Sequence, residues 1–267
     1  LFHLGRASYR LGQYDLALRY TQAAQELTRD TGNRDGEAVS HVVLGWIYQR
    51  LGDYDRAEQH FLAKYSVRQT LRDRYGEASA LSHLGWLAYD QEKPKAGLDY
   101  CWQALEIARE IHAREHESGA LSGMALNYEL LGELDEARRH YQSAVTIHDE
   151  IGATTLAIFD RAGLARIALA QNNPNAAETC IKIVSDWVLS GNAQKFWDPW
   201  IIYLSSYEVL TALGYVHTAQ TILAEAHTVL QQRAGQISDE NLRHCFLTRV
   251  KANRNLEQAW NSVGVYQ

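Results

Sequence analysis

Cysteine is scarce: Cys101, Cys180 and Cys245 are odd in number, far apart and form no Cys-x-x-Cys pair. That argues against a disulfide framework and a zinc knuckle, and it is the usage of a reducing cytoplasm. No apolar stretch runs to 18 residues, no charged-then-apolar leader opens the sequence and no lipidation motif closes it, so neither a membrane span nor an anchor is expected. Positive charge is in deficit, with 26 Lys and Arg against 32 Asp and Glu. A protein that neutralises phosphates carries a basic stripe, so direct nucleic-acid binding is not expected either. No segment rich in Pro, Gly or Ser divides the chain, which therefore reads as one elongated domain. What is present, 46% apolar and 22% charged residues over 267 positions, suffices for a large buried core.

The apolar residues come in a repeat. Leu11-Gly12-Gln13-Tyr14-Asp15 returns as Leu51-Gly52-Asp53-Tyr54-Asp55 and as Leu131-Gly132-Glu133-Leu134-Asp135, with degenerate copies beginning at Gln91 and Gln171 and a looser one at Leu213. The steps are 40 residues, the last 42. Each copy reads as a turn between two helices, because Gly or Asn there can end one helix while the Asp, Tyr or Pro that follows opens the next. Pro94 and Pro174 share a phase in the first turn of a second helix, where a missing N–H does no harm, and Pro199 also opens a helix.

Small residues mark two further phases. One series is Gly5, Gly45, Gly85, Ala125 and Ala165; the other is Ala17, Ala57, Gly97, Ala137, Ala177 and Ala219. Glycine within a helix costs about 1 kcal/mol relative to alanine, so its recurrence implies a close approach of paired helices. Larger residues follow at helical spacing, as in Leu44, Ile47, Tyr48 and Leu51, and no strand alternation competes. A 40-residue unit holds two helices of roughly 15 to 18 residues, and such units bury their apolar faces only by stacking. The fold class expected is all-α: a right-handed α-solenoid of about six helix pairs over 1–235, followed by C-terminal capping helices over 236–267. Ser238 is the expected helix start, and Cys245, Phe246, Val250, Leu256, Ala259 and Trp260 are expected to close the open end of the core.

These small-residue phases match the tetratricopeptide pattern, with Ala24, Ala104 and Ala144 at a third small position from which Lys64 and Val184 depart. The longer unit, with Gly36-Glu37-Ala38 and Gly76-Glu77-Ala78 opening helices, resembles the variant of bacterial STAND-type signalling ATPases and MalT-like transcription regulators. The closing run from Phe246 to Trp260 is similar to how many such regulators end. The resemblance implies a sensor arm that restrains or releases an upstream nucleotide-binding switch and recruits a ligand or partner. No P-loop and no DNA-binding domain are recognisable in the chain itself. The start, Leu1-Phe2-His3-Leu4-Gly5, already lies within the helical pattern, and the expectation is a piece of a longer protein.

In such superhelices the first helix of each pair lines the concave face, so groove residues can be read by phase. Arg6, Trp46, Trp86 and Arg166 follow the first small residue; Tyr9, Gln49, Tyr89 and Glu129 lie three positions on, beside Arg10, Arg50 and Asp90; Ser82 stands four positions before Trp86. Trp46 and Trp86 in one phase of adjacent repeats, ringed by hydrogen-bonding groups, would form an aromatic binding wall. The alternative is that they pack between neighbouring first helices. The partner expected is a protein or peptide segment, or a small-molecule effector, in the groove, together with upstream domains of the same chain; a freestanding peptide-binding adaptor is the other reading. No cofactor, metal or catalytic residue is assigned. His112 and His116 are four apart but lack the His-Glu-x-x-His pattern and further ligands, and no Gly-x-Ser-x-Gly is present.

Overall fold

The computed structural model describes residues 1–196 and 198–264. Among these, fourteen α-helices and one short 3-10 turn account for the regular structure, with no strand. Six pairs form the array: α1 (Phe2–Arg10) with α2 (Tyr14–Asp30), α3 (Arg34–Arg50) with α4 (Tyr54–Thr70), α5 (Arg74–Asp90) with α6 (Pro94–Glu110), α7 (Arg114–Leu131) with α8 (Leu134–Glu150), α9 (Thr154–Ala170) with α10 (Pro174–Leu189), and α11 (Trp200–Ala212) with α12 (Val216–Gly235). Two shorter helices follow, α13 (Glu240–Thr248) and α14 (Lys251–Gly264). None of these helices is long and apolar enough to cross a membrane.

The period follows from the turns. Gly12, Gly52, Glu92, Gly132, Asn172 and Gly214 have positive φ between paired helices, and Gly32, Arg72, His112, Gly152 and Gly191 have it between pairs. A left-handed residue ends a helix about every 20 positions, leaving 17-residue helices over most of the array. Where the residue is not glycine, as at Glu92, the Cβ strain is the cost of keeping the register. Helix starts are capped locally: Asn33 and Asp73 accept hydrogen bonds from the amides of Gly36 and Gly76, both at 2.9 Å.

The glycines at the first small phase do permit close approach. A Cβ at Gly5, Gly45 or Gly85 would strike Thr21, Phe61 or Cys101, each sixteen positions on in the partner helix. The alanines of the second series, Ala17, Ala57, Ala137, Ala177 and Ala219, are fully buried.

The C-terminal helices do more than cap. Phe246 and Leu256 are buried, and α14 packs against α11 and α12. The same segment also returns to the start of the chain. The Phe246 ring lies 6.0 Å from Tyr14 and 5.8 Å from Trp200. The Tyr54 hydroxyl donates to the carbonyl of Arg249 at 3.3 Å, and a Cβ at Gly52 would meet the carbonyl oxygen of Cys245. Expected helix starts shift accordingly: Asp239, not Ser238, caps α13 by accepting from the amides of Asn241 and Leu242, while the Ser238 amide donates to Asp15 of α2 at 2.9 Å. Trp260 is not core; it stands exposed and stacks on His227, 4.4 Å between centroids. One core cluster consequently joins Tyr14 and Ile47 at one end of the chain to Ile222 and Leu256 at the other.

Candidate functional site

The inner faces of α3, α5, α7 and α9 converge on a cavity of about 350 Å³. Arg50, Trp86, Tyr89, Asp90, Glu129 and Arg166 form the repeat wall. The opposite wall is the returning part of the chain: Asp198, Trp200, Ser205 and Glu208 in and before α11, and Val250, Lys251 and Ala252 at the start of α14. The volume is at the lower end of the range for small-ligand pockets.

Two ion-pair systems organise this interior. Arg50 Nη1 pairs with Asp198, and its Nη2 lies 3.9 Å from Asp90, which also accepts a 2.6 Å hydrogen bond from Gln49. Burial pushes the Asp90 carboxyl up to about 6, against the opposing pull of Arg50 and Gln49. Between α7 and α9, Arg166 holds Glu129 through two bonds of 2.7 Å, and it donates to Ser205 Oγ at 2.5 Å. The Tyr141 hydroxyl adds a 2.9 Å bond to the same carboxylate. Burial raises the Glu129 carboxyl, but Arg166 and Tyr141 outweigh it and hold the group below the ordinary carboxylate range.

Six of the twelve groove residues expected from phase therefore line one cavity. Gln49 supports it from behind through Asp90. Tyr9 and Trp46 instead stack on each other, centroids 5.8 Å apart, with the Trp46 ring edge-on to His83 at 5.4 Å. For Trp46 this is the packing between first helices that phase alone left as the alternative. Trp86 does both: its indole N–H donates to the carbonyl of Gly119 at 2.9 Å and its ring stacks on Phe159 at 5.1 Å, while it faces the cavity. Ser82 is buried outside the cavity lining, and Arg6 and Arg10 are exposed on α1.

On the repeat wall phase reading missed Leu130 and Phe159, and it missed the whole of the second wall. Asp198, Ser205 and Glu208 belong to the sixth pair, whose period slips from 40 to 42 residues, and Lys251 to a helix outside the period. The signal available was the pairing of charges: Arg50 and Arg166 point inward in a chain whose repeats supply too few acids in phase. His112 and His116, the weighed metal pair, are separated in role. His112 occupies a left-handed turn and His116 packs on Tyr75, centroids 4.0 Å apart.

The tetratricopeptide repeat family model matches residues 1–63 and 76–150, just over half of the sequence. The chain belongs to the tetratricopeptide repeat family. A search of the curated proteins finds no match. Among solved structures, this tetratricopeptide array is similar to the aspartyl phosphate phosphatase F of Bacillus subtilis, with a TM-score of 0.67 and 14% identity over 86% of this chain and 58% of that one. It is similar to a Rap protein complexed with competence and sporulation factor, at 0.66 and 14% over 97% and 74%. It also resembles a Signal Transduction ATPase with Numerous Domains from Pyrococcus horikoshii that has a tetratricopeptide repeat sensor, at 0.61 and 16% over 92% and 38%. The chain thus spans less than two thirds of the phosphatase and of the ATPase.

Proposed function

We propose that this chain is a non-catalytic binding module whose repeats and C-terminal helices enclose a small ligand or an inserted side chain, and that it serves as the ligand- or partner-sensing arm of a larger signalling or transcription-regulatory ATPase. The observation that carries the reading is that one cavity has walls from α3 to α9 on one side and from α11 and α14 on the other. An occupant touches both, so its binding energy biases the closure of the array on itself, as a sensor requires. The tetratricopeptide sensor of the Pyrococcus signalling ATPase has this fold. A freestanding peptide-binding adaptor is the second reading, favoured by the likeness to the Rap protein complexed with competence and sporulation factor. Against catalysis, the serine in the cavity lining, Ser205, accepts a hydrogen bond from Arg166 and has no histidine beside it in the lining.

Ala252 lies half-buried on the α14 wall, and Ala252→Trp should fill the cavity from that side. Thermal unfolding of wild type and variant is to be compared across a panel of amines, carboxylates, nucleotides, sugars and short peptides. At least one class should raise the wild-type Tm and leave the variant's unchanged. A panel that stabilises neither protein, or both equally, removes the cavity as the binding site.

A further inference from the structure

The charge balance of the cavity indicates what it takes. Four carboxylates, Asp90, Glu129, Asp198 and Glu208, line it with three cations, Arg50, Arg166 and Lys251. The cations are unevenly spent. Arg166 is engaged bidentately by Glu129. Arg50 is shared, paired with Asp198 and only within 3.9 Å of Asp90. Lys251 reaches out to Glu92 at 3.5 Å. Glu208, at the exposed rim, forms no ion pair among the described residues, and Asp90 accepts a hydrogen bond from Gln49 but has only a distant share of one guanidinium. A carboxylate in a partly desolvated site that lacks a full counter-charge is stabilised by an arriving cation, and burial raises the Asp90 carboxyl in spite of Arg50 and Gln49.

One further feature is independent of the acids. The walls are aromatic, with Trp86, Tyr89, Phe159 and Trp200, and ring faces attract ammonium groups.

We propose that the cavity binds a small organic cation: a protonated amine held by Asp90 and Glu208 against the aromatic walls. The inference rests on the cavity being the ligand site, and it adds the ligand's chemistry. An amine of this kind is either a free small molecule or the amino group of an inserted peptide.

Isothermal titration of the 267-residue chain at pH 7.5 tests it with three matched probes: phenylalaninamide, its neutral counterpart 3-phenylpropanamide and the carboxylate 3-phenylpropanoate. The amine should bind at least tenfold tighter than either counterpart. Glu208→Gln, a change at an exposed rim position, and Asp90→Asn, which keeps a partner for Gln49, should each weaken it about fivefold or more. The peptide Phe-Gly-Gly-amide separates the two sources: tighter binding than phenylalaninamide assigns the amine to a peptide, weaker binding to a free molecule. Equal binding of all three probes, or amine binding indifferent to both variants, overturns the cation assignment. If the amide or the carboxylate binds instead, and Ala252→Trp abolishes that binding, the ligand site stands and only its charge class falls. If none of the matched probes binds and the wider panel is also silent, both fall.

Discussion

Lys64 occupies a position where three sister repeats carry Ala24, Ala104 and Ala144. It is 4% exposed, and its ammonium donates to Ser79 Oγ at 2.7 Å and lies 3.4 Å from His83 Nδ1, with no carboxylate in ion-pair range among the described residues. Burial, reinforced by Arg68 and opposed by Asp73, pushes its pKa down to about 7. The unfolded chain keeps this proton to a pH near 10.5. Between those values the unfolded state binds more protons, so stability must rise with pH, by up to about 1.4 kcal/mol per unit. Urea unfolding of wild type and Lys64→Met at pH 7, 8 and 9 should show a steeper rise in the wild type. Parallel curves would mean that Lys64 is not buried as a charge-bearing group. The departure from the small-residue pattern was legible in the sequence; the loss of a counter-charge was not, because Ser79 and His83 come from the next pair.

The individual helices were the most legible part of the molecule. A left-handed residue every 20 positions and small residues at two phases left one solution, the 17-residue helix hairpin, and local chemistry carries it. The contact between elements that sequence could not supply is the Arg50–Asp198 pair, which ties the end of α3 to the segment entering α11 across 148 residues. Both side chains are about nine-tenths buried. Removing one member of a buried pair costs roughly 3–5 kcal/mol, and Asp90 nearby will recover part of it. Asp198→Asn should therefore destabilise the chain by about 2–4 kcal/mol and lower amide protection in α11 and α14 more than in α6 and α8. Denaturant unfolding combined with hydrogen exchange measures both; a loss under 0.5 kcal/mol with unchanged protection would show that the pair does not hold the closure.

A solenoid in which each repeat touches only its neighbours unfolds from its ends. This one is closed. Phe246 packs on Tyr14, Arg249 accepts from Tyr54, and Ser238 donates to Asp15 across 223 residues. The ends should protect each other. Phe246→Ala should cost about 3–5 kcal/mol, as for a fully buried phenylalanine. Hydrogen exchange followed by mass spectrometry should then show α1 and α2 losing protection together with α13, although the substitution lies more than two hundred positions away. Unaltered exchange in α1 and α2 would show the closure to be energetically empty.

Periodicity in the sequence determined the repeat, its turns, the close helix approach at Gly45 and Gly85, and which faces look inward, because all of these depend on residues within one pair or on the next. Six of the nineteen residues that line the candidate site followed from the same phase. Whether those inward faces met solvent or protein was decided only by tertiary structure. The curvature that brings α11 and α14 onto α3 and α5 is the accumulated result of many small packing choices between pairs, and no short-range pattern encodes that sum. The cavity exists because the array bends far enough for its last helices to meet its first.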